Sequence, residues 1–364
     1  MNVPMRTLLG CVALMWTSTA QFAHGQDAPR SRVGGDTVVT VRATASDGSR
    51  PQSTVHFDSM GTARVLGRLT VLGRTVAWRN RTDSEWFGRL VQLTARYEAA
   101  GRVGLRIEAG FLGQPVGLSA LQERANENPL VLPALPFDVA LPAFDAGVPR
   151  LMLPAPTWPL GLQVGLSGLH WDVRGAVVDS SPLRSRTPLA PDQPAAAAQL
   201  IAGGGVTFRP GLRVGGWWQR GPYAKAREIA VVGATERSAT LGAIESEFAM
   251  DHFRMTAEWM LAHLETTGGT RHASAWTVEG TQTLTPRWFV AARARHIDAP
   301  FRNVRGATPG PFESRDYTSG EVAAGYRFSP DITVRASVTA RQPYAQPGWF
   351  PGVATEMVWA RRWF

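Results

Sequence analysis

The most constraining feature of the sequence is a pair of long alternating stretches on either side of a short turn at 329–331. From Ile332 to Arg341, apolar residues occupy every second position, and Thr, Ser or Arg occupy the positions between them. Successive side chains of a strand point to opposite faces, so this pattern predicts a strand with one apolar and one charged face. Residues 321–328 alternate similarly before the turn. Because Pro330 cannot donate a hydrogen bond to a neighbouring strand, its natural place is the turn.

The same two-strand unit recurs upstream, with turn centres near residues 168, 210, 251, 286 and 330. A further hairpin turns at 99–101. The segments at the opposite ends of these hairpins are longer and hold much of the Gly, Pro, Asp and Ser; they are 181–197, 221–236, 265–271, 298–315 and 343–351. The chain therefore predicts an array of hairpins with tight turns on one side and long loops on the other.

The array contains about 14 predicted strands, with 12 or 16 as alternatives. An even number places both chain ends on the short-turn side. Residues 36–58 are the candidates for an additional pair. The predicted strands are 63–79, 87–98, 102–112, 158–167, 169–180, 198–208, 212–220, 237–249, 252–264, 272–284, 287–297, 316–328, 332–342 and 352–364.

The apolar face of these strands needs an apolar environment. Transmembrane β-strands need about 9–11 residues and turn apolar side chains to lipid, whereas strands of soluble proteins average about 5–6 residues. Strand length and pattern favour an all-β, transmembrane antiparallel up-and-down β-barrel over 61–364, against a soluble two-sheet sandwich. Aromatic girdles at the two membrane interfaces would explain the tryptophans near strand ends; these are Trp78, Trp86, Trp158, Trp288, Trp349, Trp359 and Trp363.

The N-terminus reads as a secretory signal peptide over residues 1–25. Arg6 supplies the positive charge, residues 7–16 form an apolar run, and cleavage is expected before Gln26. The run is too short to span a bilayer as a helix. Cys11 is the only cysteine and leaves with this segment, so the mature chain has no disulfide and no thiol chemistry. The polar residues 26–60 are predicted to form an N-terminal periplasmic extension.

Residues 113–157 interrupt the alternation and are rich in Pro, Leu and Ala. A loop of this length without secondary structure usually has a function, and its apolar composition argues against a simply solvated segment. We expect it either to fold into the barrel lumen or to pack between subunits. Arg124, Glu127 and Asn128 are the candidate constriction residues, and a capped helix end packed on the inner wall is the alternative for them.

The signal peptide, the hairpin array and the terminal Phe364 together resemble a Gram-negative outer-membrane β-barrel of the porin type. Residues 108–118 resemble the region of phosphate-selective and related porins where a strand leads into a Pro-x-Gly-Leu loop, and Arg124 and 126–129 continue the likeness. Arg362 departs from the apolar residue usual two places before the terminal Phe. The resemblance implies a location in the bacterial outer membrane, passive diffusion of small solutes, and a long loop folded into the lumen as a constriction.

The polar face of the strands supplies candidate pore-lining residues. The chain has 38 Lys and Arg against 29 Asp and Glu, and Lys225 is its only lysine. Rings of arginine favour anions, so we predict a channel for small hydrophilic solutes that leans toward anions, with some arginines paired to interleaved acidic residues. The candidates are Arg96, Arg106, Glu108, Arg174, Arg213, Arg254, Glu258, Arg293, Arg295, Arg335 and Arg341.

Two other functions stay open. One is a structural or receptor-like barrel that is plugged by residues 113–157. The other is an outer-membrane hydrolase, for which the acid–histidine pairs are His170/Asp172, Asp251/His252 and His296/Asp298. The sequence contains no Gly-x-Ser-x-Gly, phosphate-loop, dinucleotide or His-Glu-x-x-His motif. We therefore expect no enzyme activity, no cofactor and no metal site.

The expected partners follow from the predicted location. They are outer-membrane lipid and lipopolysaccharide, and the barrel-assembly machinery, which would bind the C-terminal strand ending in Phe364. A monomer and a homotrimer both fit the pattern. The arginines are spread one or two per strand and form no basic patch or tail, so we expect no nucleic-acid partner.

Overall fold

The computed structural model describes residues 33–363 except 48–50, 82–84, 114, 119–121, 134–138, 143–147, 149–150, 156, 186–197, 230–232, 234, 300–303, 306–307, 310–315, 345 and 347. The predicted signal peptide, the first part of the predicted extension and Phe364 lie outside the described residues. In the described part of the chain, no helix is both long enough and apolar enough to cross a membrane.

The described chain is built almost entirely of antiparallel strands. A 3-10 helix at Ala226–Glu228 lies in one of the connections. The strands are β1 (Val33–Ser46), β2 (Gln52–Leu66), β3 (Leu69–Asn80), β4 (Phe87–Ala99), β5 (Gly104–Phe111), β6 (Leu160–Ser167), β7 (Trp171–Val178), β8 (Gln199–Arg209), β9 (Leu212–Ala224), β10 (Arg237–Met250), β11 (Phe253–Thr266), β12 (Gly269–Thr283), β13 (Trp288–Asp298), β14 (Val304–Arg305), β15 (Thr308–Pro309), β16 (Asp316–Arg327), β17 (Ile332–Gln342) and β18 (Phe350–Arg362).

The long strands form one closed barrel of 16 strands. Each strand pairs with its neighbour in sequence, and β13 pairs with β16 because the short β14 and β15 pair only with each other. The barrel closes where β1 pairs with β18, from Asp36 opposite Arg362 to Ser46 opposite Gly352. The antiparallel barrel predicted from the sequence is confirmed, but the count of about 14 strands is too low.

The two additional strands come from the N-terminal part of the barrel. Residues 33–60, predicted as part of a periplasmic extension, form β1 and most of β2. The sequence analysis had named residues 36–58 only as candidates for an additional strand pair. The single strand predicted at 63–79 is instead the end of β2 and most of β3, which are joined by a turn at Gly67 and Arg68. The φ of +35° at Gly67 lies in the left-handed region, which glycine adopts without steric cost.

The tight turns lie at one end of the barrel, as predicted. They include residues 210–211, 251–252 and 328–331. The longest connections, 112–159 and 179–198 among them, lie at the other end. The predicted loop at 265–271 is wrong, because β11 and β12 extend through it to a two-residue turn at 267–268. Below, the two ends are called the turn end and the loop end.

The side chains of the strands separate into an apolar exterior and a polar interior. On β16 and β17, Val322 and Val338 are 62% and 64% exposed, whereas Arg335 and Ser337 are 3% and 5% exposed. An apolar surface that continues around a closed barrel is far larger than soluble proteins expose, so it marks the lipid-facing side. Two of the predicted girdle tryptophans do not fit, since Trp78 and Trp158 pack in the interior against Arg89.

Part of the barrel interior at the loop end is an apolar core. Inward residues of β7 to β13, such as Ile201, Leu241 and Met260, pack in one cluster with Leu141 and Leu153 of the connection between β5 and β6. Burial of large aliphatic side chains stabilises by about 1.5–3 kcal/mol each. The apolar composition of residues 113–157 is thus explained by contact with the barrel wall over its described parts.

Candidate functional site

All of the predicted pore-lining residues lie on the strand face opposite to the exposed apolar side chains. Alternation places them there, since each lies an odd number of positions from the exposed apolar residues of its own strand. They are Arg96 on β4, Arg106 and Glu108 on β5, Arg174 on β7, Arg213 on β9, Arg254 and Glu258 on β11, Arg293 and Arg295 on β13, and Arg335 and Arg341 on β17.

Many of these arginines are paired with carboxylates. Arg96 and Arg106 both donate to Glu108, at 2.6 and 2.7 Å. Arg213 makes two hydrogen bonds of 2.9 Å to Asp172. Such pairs hold the guanidinium groups in fixed positions and reduce the net positive charge of the interior.

Arg174, Arg293 and Arg335 are also paired with carboxylates, whereas other candidates contact neutral groups or lie more open. Arg295 donates to Ser319 at 2.6 Å, and Arg341 donates to Ser46 at 3.2 Å near the loop end. Arg254 is more than half exposed and lies 3.9 Å from Glu247. The carboxylate of Glu258 accepts a hydrogen bond of 3.4 Å from the indole of Trp217. The predicted set is therefore mixed, with wall-bound, paired and accessible members.

Residues 122–133, hereafter the docked segment, form hydrogen bonds with the interior face of several strands. On one side, Arg124 forms an ion pair with Asp36 of β1 and lies 3.5 Å from Asp58 of β2. Glu123 accepts a hydrogen bond of 2.8 Å from Arg74 of β3. Burial raises the pKa of Glu123, although Arg74 opposes this shift. Burial alone would lower the pKa of Arg124, but the hydrogen bond to Asp36 and the charge of Asp58 raise it overall.

On the other side, Arg293 of β13 is the main anchor of the docked segment. Its guanidinium donates to the Leu132 and Pro133 carbonyls at 3.1 and 3.0 Å and to Asn128 Oδ1 at 2.9 Å. It also forms an ion pair of 2.8 Å with Glu279. These bonds satisfy backbone groups that would otherwise lie buried without partners.

A second anchor lies on β16 and β17. Glu321 accepts hydrogen bonds of 3.0 Å from the backbone N–H groups of Val131 and Leu132. Arg335 donates to the Ala125 carbonyl at 3.0 Å and to the Asn128 carbonyl. The docked segment is thus bonded to strands on both sides of the site where β1 and β18 close the barrel.

The candidate constriction residues differ in their surroundings. Arg124 and Asn128 are buried, and their bonds hold the docked segment to the wall. Glu127 is exposed and borders a cavity at the turn end. Partial enclosure by protein raises the pKa of Glu127 above its ordinary value, chiefly by desolvation, although the positive charge of Arg124 opposes this.

Two cavities lie on the interior face of the same group of strands. The loop-side cavity has a volume of about 330 Å³, and its charged lining residues are Arg42, Arg293, Arg295, Arg341 and Glu321. The turn-side cavity has a volume of about 970 Å³ and is bordered by the docked segment, by β1, β17 and β18, and by the turn at 330–331.

Glu108 was predicted, but several other carboxylate partners in the interior were missed by the sequence analysis. Glu279, Glu321 and Glu356 occupy the polar phase of correctly predicted strands, so the alternation that selected the arginines could have found them. Asp58 and Arg74 could not be found in this way. Asp58 was assigned to the predicted extension, and Arg74 to a strand drawn through the turn at Gly67.

In two of the acid–histidine pairs, one member is engaged in contacts outside the pair. Asp172 is engaged by Arg213. His296 lies on the exterior face, where it bonds to Thr318 at 2.8 Å and stacks on Trp276. Among the described residues, no group of three or more His, Cys, Asp or Glu is arranged to hold a metal ion.

Comparison with known proteins gives structural likeness only. No family model and no curated protein matches the sequence. OprB of Pseudomonas putida, in a high-pH structure, aligns over 92% of this chain and 94% of its own at 10% identity, with a TM-score of 0.60. OmpT, an outer membrane protein of Vibrio cholerae, aligns over 93% and 100% at 11% identity, with a TM-score of 0.59. OmpF of Salmonella typhi, in complex with daunomycin, aligns over 91% and 97% at 11% identity, with a TM-score of 0.58.

At these identities the likeness concerns the fold. The chain has the fold of bacterial outer-membrane β-barrels of the porin type, and its 16 strands fit that class. The predicted outer-membrane location is confirmed at this level and agrees with the apolar exterior. The narrower resemblance to phosphate-selective porins, based on residues 108–118, stays a prediction.

Proposed function

We propose that this protein is a porin-like channel of the outer membrane that passes small hydrophilic solutes by passive diffusion. The observation that supports this function best is a closed barrel with an apolar exterior and charged side chains around interior cavities. A protein that only anchored itself in lipid would gain nothing from desolvating so many charges. Water and ions in the lumen would solvate the interior charges that are exposed, such as Arg254 and Arg341.

The proposed constriction is formed by residues 113–157 folded into the lumen. The support is the docked segment, which bonds to interior-face side chains on β1, β2, β13, β16 and β17. A segment that packed between subunits would instead contact the apolar exterior. Arg124 and Glu127 of the docked segment both border the turn-side cavity, and Glu127 is the exposed one that a passing ion would meet.

The proposed lean toward anions rests on the loop-side cavity. Four arginines and one glutamate line it, and Glu321 is already bonded to two backbone N–H groups. Charged rings set the selectivity of pores. Two of these arginines are paired, Arg293 with Glu279 and Arg42 with Glu356, so we expect a modest preference and not exclusion of cations.

Single-channel recording in planar bilayers tests this function. The purified barrel should give steady conductance steps, and in a salt gradient the reversal potential should lie on the anion side. Absence of conductance at any voltage would refute the channel. A reversal potential on the cation side would refute only the selectivity.

A plugged structural or receptor barrel is the second candidate. The apolar packing of Leu141 and Leu153 against the wall and the many bonds of the docked segment favour it. Deletion of residues 118–157 separates the two functions. A channel with a constriction should conduct before the deletion, whereas a plugged barrel should conduct only after it.

A further inference from the structure

The interior of the barrel has an apolar part along one group of strands and a polar part along the others. At the loop end, inward residues of β7 to β13 form one buried core with the connections that follow β5 and β7, including Leu151 and Leu183. Leu183, Met260 and Leu264 are fully buried there. A hydrated path through this part would have to separate packed aliphatic side chains, at about 25 cal/mol for each Å² exposed to water.

The polar part is bordered by β1, β2, β13, β16, β17 and β18, and the two cavities lie in series along it. On β17, Thr339 and Arg341 line the loop-side cavity, and Thr333 and Arg335 line the turn-side cavity. The same order holds on β1, where Arg42 borders the first cavity and Val38 the second. We call this series of cavities the polar lane.

On β1, β17 and β18, one layer of inward side chains separates the two cavities. On β1, β17 and β18 this layer consists of Thr40, Ser337 and Glu356, all of them buried. Since residues in a strand rise by about 3.4 Å each, one inward layer corresponds to only about 7 Å of strand. The barrier between the cavities is therefore thin compared with the membrane.

This layer is polar where the lane meets β1, β17 and β18. Glu356 accepts hydrogen bonds from Arg42 at 3.0 and 2.8 Å on the loop side and forms an ion pair with Arg335 on the turn side. The hydroxyls of Thr40 and Ser337 have no hydrogen-bond partner in the described chain. Buried polar groups that protein does not satisfy are usually satisfied by water.

We propose that solutes cross the barrel only along the polar lane, and that Glu356 is the residue that sets its charge selectivity. This inference rests on the proposed channel function. Glu356 offsets the charges of Arg42 and Arg335 at the one layer that every ion in the lane must pass. It acts on permeation by this charge and by fixing the positions of the two arginines.

The test is the substitution Glu356→Gln, which preserves shape and removes the charge. A unit charge about 5 Å from an ion in water changes the occupancy of that ion about fourfold. Because anions gain and cations lose, the ratio of anion to cation permeability should rise about sixteenfold without screening and about fivefold in 0.1 M salt. Single-channel conductance in a salt gradient measures this ratio.

Glu108→Gln is the matched control. Glu108 is also a buried interior carboxylate bonded to two arginines, Arg96 and Arg106, but it lies on β5 outside the polar lane. At about 10 Å and in 0.1 M salt its effect should stay below about twofold. An equal or larger shift for Glu108→Gln would overturn the proposal. A wild-type barrel without current would overturn the proposed function and this inference with it.

A second measurement does not depend on Glu356. Since the chain has one cysteine, Cys11 in the predicted signal peptide, Thr339→Cys would introduce a single reactive thiol into the lane. Reaction with an anionic methanethiosulfonate should then reduce the current by at least half. Thr207→Cys on the interior face of β8 is the control and should change it little. Block at Thr207→Cys without block at Thr339→Cys would place the path elsewhere and overturn the proposal.

Discussion

Replacement of Arg293 by alanine should release the docked segment from the barrel wall. The Arg293 side chain is 2% exposed and is paired with Glu279 at 2.8 Å. It also donates to the Leu132 and Pro133 carbonyls and to the Asn128 side chain. Among the described residues, no other side chain bonds both to backbone carbonyls and to a side-chain amide of the docked segment.

The magnitude follows from the burial of these groups. The ion pair with Glu279 joins two strands of the barrel wall and is present whether or not the segment is docked, so only the bonds from Arg293 to the docked segment count toward detachment. Each hydrogen bond from a charged group contributes about 1.5–3 kcal/mol, but these bonds share the same desolvation and do not add in full. We take about 4 kcal/mol for Arg293→Ala. At about 1.4 kcal/mol per factor of ten, the detached population rises about a thousandfold.

Limited trypsin digestion of the folded barrel in detergent is the assay. Detachment exposes the backbone after Arg124, and mass spectrometry identifies cleavage there. Arg106→Ala is the control, because Arg106 is 47% exposed and its pair with Glu108 resembles surface pairs worth about 0–1 kcal/mol. The heat-dependent gel mobility shift of barrels verifies that both variants are folded.

The result that would refute this reasoning is equal cleavage in the two variants. If folded Arg293→Ala is cut after Arg124 no faster than Arg106→Ala, the bonds of Arg293 do not hold the segment in place. Single-channel recording adds a second readout. Release should increase current noise or conductance in Arg293→Ala and leave Arg106→Ala close to wild type.

Three further predictions concern pH, lipid exposure and a turn. Because the pKa of Glu127 is raised above its ordinary value, this carboxylate loses its charge at a higher pH than an unperturbed glutamate. Anion selectivity should therefore rise with acidification, and Glu127→Gln should flatten that rise in reversal-potential titrations. Val322→Arg places a charge on the exterior of β16 and should cost about 2–4 kcal/mol in denaturant unfolding from vesicles if Val322 lies near the midplane, with Val322→Leu as the control. Gly211→Ala should destabilise the barrel by about 1–3 kcal/mol, because its φ is +84° and an added Cβ would collide with the Ala249 carbonyl, whereas Gly61→Ala meets open space.

The alternating residues determined much of the fold without tertiary information. From Ile332 to Gln342 the period of two separates exterior from interior side chains, and the structure has the strand at those bounds. The tight turns near residues 210, 251 and 330 follow from the same pattern. These features are local, since the direction of a side chain depends on its position in its own strand.

Closure of the barrel is decided by contacts across the whole chain. β1 pairs with β18, so Asp36 lies opposite Arg362, and nothing near residue 36 in the sequence identifies that partner. The number of strands depends on this pairing. For that reason the sequence analysis predicted too few strands in residues 33–66 but not in the later part of the barrel.

The electrostatics of the interior also depend on tertiary structure. Sequence alternation placed Arg293 and Arg335 inside the barrel but could not show that Glu279 and Glu356 neutralise them. It likewise could not assign Trp158 to the interior or show which strands the docked segment joins. The face on which a side chain lies and the position of a tight turn depend on neighbouring residues and can be predicted from the sequence. Ion pairing and barrel closure depend on residues that are distant in the sequence and meet only in the folded protein.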